Sequence, residues 1–330
     1  MTLEKLFEEF KTKKIIVLGD VMIDAYLSGK VDRVSPEAPV PIINFSKSED
    51  RLGGAANVAL NLISLGANVV MSTVIGKDKE AETMLRLMED QSISTSGIIR
   101  SDERQTTVKT RVIGNHQQLL RIDQEQTDDI STAEEDALLK DLEDLLKSGC
   151  DALIFQDYNK GVLTSRLIEE VIKLTKKYKV PTSVDPKQKN FLAYKGVTLF
   201  KPNLKELSEG IQQKIDFAND RSQFEYAVKE LKSIIHPEII FTTLSEHGVF
   251  IEDENNQYYI PAHKRMISDV SGAGDTVISV ATLCLAVGTS IETLASMANL
   301  AGGIVCEYRG VVAIDADDLL QEALKIDVKC

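Results

Sequence analysis

The residues best suited to chemistry lie in the late segment Asp269–Thr276, which reads DVSGAGDT. An apolar stretch, VISVATLCLAVG, follows it and predicts a helix that begins inside the segment. Glycine and alanine leave backbone N–H groups unobstructed at a helix start, where the helix dipole favours an anion. Asp275 would repel that anion unless it takes a proton from the group that attacks it. The alternative interpretation is a glycine-rich turn whose aspartate only favours the helix N-terminus.

Two earlier segments also combine small and polar residues. Gly53–Asn57 reads GGAAN at the start of a predicted helix, so a ligand can approach its backbone closely. Asp20 and Asp24 follow the first predicted strand, where open α/β sheets bind ligands. The alternatives are close helix–strand packing with a capping amide for the first segment, and two solvated turn carboxylates for the second.

Two nucleotide-binding signatures are missing from the sequence. It contains no GxxxxGK[ST] segment, so a phosphate site of the Walker type is excluded. The first predicted strand ends in GDVMID rather than GxGxxG, which argues against a dehydrogenase on a Rossmann sheet.

The composition predicts a folded protein that avoids anionic polymers. The chain has 330 residues, is 43% hydrophobic and carries a net charge of −13, which disfavours nucleic acid and anionic membranes as partners. The four cysteines form no CxxC pair and the four histidines show no zinc spacing. The N-terminal segment MTLEKLFEEFKTKK lacks the apolar region of a secretory signal, so we expect a cytoplasmic protein.

Predicted strands and helices alternate along most of the chain. This order is typical of an α/β fold with a mostly parallel central sheet covered by helices on both faces. Two stretches, 25–45 and 106–123, contain short β-like runs without a covering helix, and we expect them to form a small β-lid. We expect residues 1–330 to form a single domain.

Together these motifs resemble the ribokinase-like (PfkB) family of carbohydrate kinases. That family combines an early Gly-Asp strand end, a GG-x-x-N helix start and a late D-[TS]-x-GAGD segment. The strings most similar to its bacterial heptose 7-phosphate kinases are GDVMIDAY, RVSPEAPVPI, GGAANVALNLISLGA, NHQQLLRID, DYNKG, VDPK and KPNLKE. The resemblance implies a three-layer α/β/α fold and phosphorylation of the anomeric hydroxyl of D-glycero-β-D-manno-heptose 7-phosphate, a step towards ADP-heptose and lipopolysaccharide.

The resemblance also implies a role for each matching position near the late motif. Asp275 would be the catalytic base, taking the proton of the sugar hydroxyl as its oxygen attacks the γ-phosphate of ATP. Backbone N–H groups of Gly272, Ala273 and Gly274 would stabilise the transferring phosphoryl group. Sugar hydroxyls would be held by Asp24, Gly54 and Asn57.

On the nucleotide side, the resemblance implies two segments against ATP and sites for two cations. Glu206 would orient Mg²⁺ through water. Asp269 and Ser271 would hold a monovalent cation, K⁺, as in several relatives. The residues expected to contact ATP are Asn203, Leu204, Lys205, Glu206, Thr243, Ser245 and Gly248.

The phosphate of the sugar needs a basic subsite in this acidic chain. Arg33 and Arg111 are two candidates, and the residues we assign to substrate binding are Arg121, Lys160 and Lys187. Many such kinases are fused to an adenylyltransferase with an HxGH motif, in which none of the four histidines lies, so we expect a stand-alone kinase.

The exposed edges of the lid, with the apolar run PVPIINF, predict a homodimer through the lid. Two other functions stay open besides the heptose kinase: a ribokinase-like kinase for another sugar or sugar phosphate, and a non-catalytic sugar- or nucleotide-binding protein. The intact GAGD with Asp275 argues against the second, since a pure binder gains nothing from that carboxylate.

Overall fold

A computed structural model describes residues 1–329, in which helices and strands alternate along most of the chain. The α-helices are α1 (Leu3–Phe10), α2 (Ala55–Ser64), α3 (Lys79–Asp90), α4 (Thr132–Lys147), α5 (Ser165–Tyr178), α6 (Leu204–Gly210), α7 (Arg221–Ile235), α8 (Ala273–Val287), α9 (Ile291–Val305) and α10 (Ala316–Lys325). The strands are β1 (Lys14–Gly19), β2 (Val21–Val34), β3 (Pro41–Gly54), β4 (Asn68–Gly76), β5 (Ser94–Ser101), β6 (Val108–Gly114), β7 (Gln117–Gln124), β8 (Ala152–Gln156), β9 (Thr182–Asp185), β10 (Leu199–Phe200), β11 (Ile239–Thr243), β12 (Val249–Glu252) and β13 (Gln257–Ile260).

Nine strands of the described chain form the central sheet, in the order β13-β12-β11-β10-β9-β8-β1-β4-β5. Neighbours from β11 to β5 are parallel, whereas β12 and β13 add antiparallel strands at one edge. The predicted mostly parallel sheet is therefore confirmed. Because the strands are parallel, their carboxyl ends meet along one edge of the sheet, where the polar segments predicted to bind ligands emerge.

Helices cover both faces of this sheet, which confirms the three-layer architecture. In β1, Ile15 and Val17 pack with α1, α2, α8 and α9, whereas Ile16 and Leu18 pack with α4, α5 and α7 on the opposite face. Helix α8 is buried from Asp275 to Cys284, so its N-terminus is held rigidly under the sheet edge. No helix within residues 1–329 is long and apolar enough to cross a membrane.

The two stretches that break the alternation form a second, small sheet, which we call the lid sheet: β2, β3, β6 and β7. Its order is β3-β2-β6-β7, with an antiparallel pair on each side of the parallel pair β2–β6. Its strands extend further than 25–45 and 106–123, because β2 begins at Val21 and β3 continues to Gly54.

Residue pairing separates the two faces of the lid sheet. Asp24 lies opposite Arg51, and Tyr26 lies opposite Arg111, so one face of the sheet is charged. The opposite face is mostly apolar: Ile23 and Leu52 are buried in the core, whereas Phe45, Leu120 and Ile122 are exposed further along the strands.

Two local predictions differ from the structure. The apolar stretch in VTLFKPN predicts a strand, but it pairs in the sheet only over Leu199–Phe200. Pro202 lacks an N–H for the ladder, and Asn203 caps helix α6. The edge strand β5 was not expected, since its sequence STSGIIRS lacks a clear period of two.

Candidate active site

The glycine turn before α8 forms an open helix N-terminus, as its sequence predicts. Gly272 is the N-cap with φ of 81°, and a Cβ there would lie 3.0 Å from Val311 Cγ1 and 3.1 Å from Asn57 Nδ2. Only glycine takes this conformation without strain in so narrow a space. The N–H groups of Gly274 and Asp275 have no acceptor inside the helix and are available to an anion, whereas the N–H of Ala273 donates to the Val270 carbonyl oxygen at 3.3 Å.

Asp275 lies on this first turn with its carboxylate only 6% exposed. Three donors hold it: Asn57 Nδ2 lies 2.7 Å from Oδ2, and Tyr158 Oη and Gln156 Nε2 lie 2.7 and 3.1 Å from Oδ1. Burial raises the pKa of Asp275 to about 6, although hydrogen bonds from Asn57 and Tyr158 oppose that rise. A carboxylate with this pKa is mostly ionised at neutral pH and accepts a proton readily, as a general base must.

Asp20 does not join this ligand-facing set. It is buried at the end of β1, where its carboxylate accepts backbone N–H groups from Tyr158, Lys160 and Val162 at 2.9–3.1 Å. Neither interpretation of the sequence, ligand contact or solvated turn, holds for this residue. Instead Asp20 fixes the loop after β8 that carries Tyr158 to the base.

A cavity of about 280 Å³ lies between α2, α3 and the lid sheet, and Asn57, which donates to Asp275, is one of its lining residues. Asp24, Tyr26, Arg51 and Asn57 are among its lining residues. Two of the predicted sugar ligands, Asp24 and Asn57, therefore face one cavity. Gly54, the third, starts α2 with φ of 60°, and a Cβ there would lie 2.5 Å from the Asp20 carbonyl oxygen, so the close approach predicted for GGAAN is between backbone segments.

Two arginines border this cavity on the charged face of the lid sheet. Arg111 Nη1 lies 2.5 Å from Asp24 Oδ1, and its guanidinium carbon lies 5.4 Å from the centroid of the Tyr26 ring. Arg51 approaches the same ring at 5.0 Å and pairs with Glu49 at 2.5 Å. Both guanidinium groups are thus oriented by an aromatic ring and a carboxylate.

The other basic candidates occupy different places. Arg121 lies opposite Arg111 in the lid sheet, exposed and paired with Asp123 at 2.9 Å, and Arg33 is exposed near the end of β2. The Lys160 ammonium lies 2.8 Å from Glu125 Oε2. Of these basic candidates, Arg111 is therefore the one that borders the cavity. Arg121 and Lys160 instead pair with carboxylates on β7 and immediately after it.

Lys187 lies in a chain of charges between the base and the nucleotide segment. Its ammonium pairs with Glu206 and lies 3.6 Å from Asp185 Oδ1, and Lys201 Nζ lies 3.3 Å from that same oxygen. Burial raises the pKa of Asp185, but Lys187 and Lys201 outweigh it and lower the pKa below its usual value. A Cβ on Gly274 would lie 3.6 Å from Asp185 Oδ2, so these charges adjoin the glycine turn.

The two predicted nucleotide segments meet beside this chain of charges. Asn203 forms a parallel bridge with Thr243, and its side chain and that of Glu206 make reciprocal bonds of 2.8 and 2.9 Å at the start of α6. Ser245 has φ of 55° and Gly248 has φ of 91°, so a sharp turn follows β11. Along α6, Leu204 is half-buried against the core, whereas Lys205 points to solvent near Glu209.

Asp269 and Ser271 lie together just before the glycine turn. Asp269 Oδ1 accepts the N–H and hydroxyl of Ser271 at 3.0 and 2.8 Å, and Oδ2 accepts the Gly310 N–H at 3.0 Å. The hydrogen bonds from Ser271 are the main reason that the pKa of Asp269 lies below its usual value.

Sequence reasoning missed several residues that the structure brings to the site. Gln156, Tyr158, Asp185 and Lys201 come from the carboxyl ends of β8, β9 and β10. Arg51 comes from β3. Open α/β sheets bind ligands at the carboxyl ends of their strands, and DYNKG, VDPK and KPN each lie at the end of a predicted strand. The four residues from β8, β9 and β10 could therefore have been predicted from the sequence.

Proteins similar over most of this chain are called bifunctional protein HldE. Those of Desulfatibacillum aliphaticivorans and Aliarcobacter butzleri are each 40% identical over 311 residues, 94% of this chain. The chain spans 63% and 64% of the lengths of these two relatives.

Solved kinase structures share the fold. Phosphofructokinase-2 from Escherichia coli in complex with potassium has a TM-score of 0.77 at 17% identity and covers 96% of this chain and 99% of its own. Arabidopsis thaliana ribokinase complexed with ribose and ATP has a TM-score of 0.73 at 16% identity, with coverages of 94% and 98%. The family model for pfkB family carbohydrate kinases matches residues 12–318, and the chain therefore belongs to this family of carbohydrate kinases.

Proposed function

We propose that this kinase transfers the γ-phosphoryl group of ATP to the anomeric hydroxyl of D-glycero-β-D-manno-heptose 7-phosphate. The product is the 1,7-bisphosphate, which serves ADP-heptose and lipopolysaccharide core synthesis. The observation that carries the proposal is the position of Asp275, on the first turn of an open helix N-terminus and hydrogen-bonded to Asn57, which lines the cavity beside the lid sheet. The similarity to HldE proteins over 94% of the chain supports the choice of sugar.

In the proposed step the sugar oxygen forms a bond to the γ-phosphorus while the bond from that phosphorus to the β–γ bridging oxygen breaks. The proton of the hydroxyl passes to Asp275, and ADP leaves. The first-turn N–H groups around Gly272–Gly274 stabilise charge on the transferring oxygens, because they are fixed before the reaction begins. Asp24 and Asn57 orient the sugar from the cavity.

The magnesium ion that accompanies ATP supplies charge neutralisation at the phosphates, and Glu206 would hold it through water. The residues present fit this ion. Mg²⁺ usually takes one or two carboxylates and keeps several waters, which suits a single carboxylate such as Glu206 at the start of α6. Asp269 and Ser271 are proposed as ligands of K⁺ beside the glycine turn.

We assign the sugar's own phosphate to Arg51 and Arg111. Arg51 lines the cavity and Arg111 contacts two lining residues, Asp24 and Tyr26. The other three candidates are not among the lining residues and pair with Asp123, Glu125 and Glu206: Arg121, Lys160 and Lys187. Guanidinium groups bind phosphate through paired, charge-assisted hydrogen bonds. Arg121 remains a candidate for an outer contact, since it shares its face with Arg111.

The lid sheet also supports a homodimer. Its apolar face exposes Phe45, Leu120 and Ile122 by 65%, 55% and 52%. Side chains of this size on one sheet face are more stable when a second copy covers them, so we propose that two lid sheets pack together through this face.

An acceptor panel tests the substrate. Purified protein is incubated with Mg-ATP and heptose 7-phosphate, free heptose, fructose 6-phosphate or ribose, and ADP release and product mass are measured. We expect the highest kcat/KM with heptose 7-phosphate. An equal or higher value with free heptose or ribose would overturn the heptose assignment, and ATP binding without any turnover would favour the non-catalytic alternative.

Variants of the two arginines test the phosphate subsite. Arg51→Ala and Arg111→Ala should each raise the KM for the phosphorylated sugar about tenfold or more, because a charge-assisted hydrogen bond contributes about 1.5–3 kcal/mol. The KM for ATP should stay unchanged. Arg100→Ala, which removes a surface pair with Glu82 at 2.5 Å, is the matched control.

A further inference from the structure

Tyr158 connects the base to the loop that follows β8. Its hydroxyl oxygen lies 2.7 Å from Asp275 Oδ1, and its backbone N–H donates to Asp20 Oδ2 at 2.9 Å. The Lys187 ammonium lies 5.9 Å from the centroid of its ring. Both ends of this residue are therefore fixed by buried carboxylates, the hydroxyl by Asp275 and the backbone by Asp20.

We propose that Tyr158 is a positioning residue whose hydroxyl orients the Asp275 carboxylate and keeps it ionised for proton abstraction. This inference rests on the proposed role of Asp275 as the base. It concerns a residue that touches neither the sugar nor ATP in the proposed step.

The distribution of donors around Asp275 explains the orientation. Oδ1 accepts two hydrogen bonds, from Tyr158 and Gln156, whereas Oδ2 accepts one, from Asn57. A carboxylate oxygen has about two lone-pair directions, so Oδ2 retains one for an incoming hydroxyl. Asn57 lines the sugar cavity, and the free direction therefore belongs to the oxygen on the cavity side.

The charges around Asp275 decide what losing the hydroxyl would do. Asp185 disfavours a second negative charge, whereas Lys201 and Lys187 favour it. Burial together with Asp275 raises the pKa of Tyr158 well above its usual value, so the phenol stays a proton donor at neutral pH. A donor to the charged form lowers the pKa of a carboxyl group, and its removal must raise it.

The primary test measures Asp275 directly in the ligand-free protein. Carboxyl-¹³C-aspartate is incorporated, and the resonance absent from Asp275→Asn is titrated in wild type and in Tyr158→Phe. We expect the midpoint to rise by about one pH unit, since a hydrogen bond to a charged group contributes about 1.5 kcal/mol or more. Replacing tyrosines by 3-fluorotyrosine, a stronger donor, should move the midpoint downwards.

The kinetic test is the pH profile of kcat/KM for the sugar. The acidic limb of Tyr158→Phe should shift upwards by the same amount, with about a fivefold loss at pH 6, approaching tenfold at lower pH, and almost no loss at pH 8. Titration of the substrate phosphate cancels in the comparison with wild type. Tyr178→Phe is the matched control, because it removes a 2.9 Å bond to Glu143 outside the site.

An unchanged midpoint in the ¹³C titration would overturn the inference, as would an equal loss of kcat/KM at every pH. The ¹³C titration needs no substrate. A wrong sugar assignment would therefore abolish the kinetic signal but leave the midpoint shift intact, which separates failure of the proposed function from failure of this inference.

Discussion

Replacing Asp275 by asparagine removes the base, but the side chains that donate hydrogen bonds to it can still be satisfied. The amide oxygen can take the place of Oδ1 and accept from Tyr158 and Gln156. The amide nitrogen then meets Asn57 Nδ2, which donates to Oδ2 in the wild type. Because Asn57 Oδ1 has no hydrogen-bond partner, rotating that amide by 180° restores a donor–acceptor pair. We expect a folded protein with kcat reduced about 10²–10⁴-fold and unchanged ATP affinity.

The same substitution should stabilise the protein. Asp275 titrates near pH 6 in the folded state against 3.8 ordinarily, so the folded state binds more protons between these values and stability falls as pH rises through them. That difference corresponds to about 3 kcal/mol above pH 6. At about 2.1 cal/mol/K of unfolding entropy per residue, asparagine should raise Tm by about 4 °C at pH 8 and about 2 °C at pH 5.

Thermal unfolding at pH 5 and pH 8, isothermal titration with ATP and steady-state kinetics measure these effects. Asp102→Asn, at an exposed carboxylate paired with Lys77, should change Tm little at either pH. A variant less stable than wild type at pH 8 would show that the charged carboxylate is not destabilising. A kcat close to wild type would remove Asp275 from the mechanism.

Two further substitutions test the loop anchor and the lid. Asp20→Ala leaves three buried backbone N–H groups without their acceptor and should lower stability by several kcal/mol, at about 1–3 kcal/mol each, measurable by urea unfolding. Leu120→Glu should convert the proposed dimer to a monomer in light scattering at micromolar concentration, whereas Lys205→Glu, exposed on α6, should not. A wild-type protein already monomeric there would refute the dimer.

The sequence predicts the fold here because local signals agree with it. Threonine is a favoured N-cap residue and Thr164 caps α5, and small residues begin α2 and α8 where ligand contacts were predicted. The continuous apolar run in β1, Ile15–Leu18, requires helices on both faces, so the three-layer order follows. The position of Asp275 follows in the same way, since a helix with its N-terminus at the glycine turn places the fourth residue of GAGD on the first turn.

Side-chain partners across the sheet could not be predicted in the same way. Tyr158, Gln156 and Asn57 reach Asp275 from separations of 117, 119 and 218 residues. The order of the strands in the sheet determines which of these distant side chains come into contact. The position of β8 between β1 and β9 depends on the packing of the whole chain. Asp20 shows the consequence, because nothing local distinguishes a carboxylate that binds ligand from one that fixes a loop.

The net charge of −13 repels the proposed substrates, which are both anionic, so local positive charge at the site must offset that repulsion. The cations at the cavity and near Asp275 are already paired: Arg111 with Asp24, Arg51 with Glu49, and Lys187 with Glu206 and Asp185. A phosphate that binds there exchanges one anionic partner for another, so the guanidinium and ammonium groups are oriented before it arrives. The displaced carboxylates, Asp24 and Glu206, are the ones proposed to hold sugar hydroxyls and Mg²⁺. Partner exchange would therefore couple phosphate binding to the placement of the other ligands.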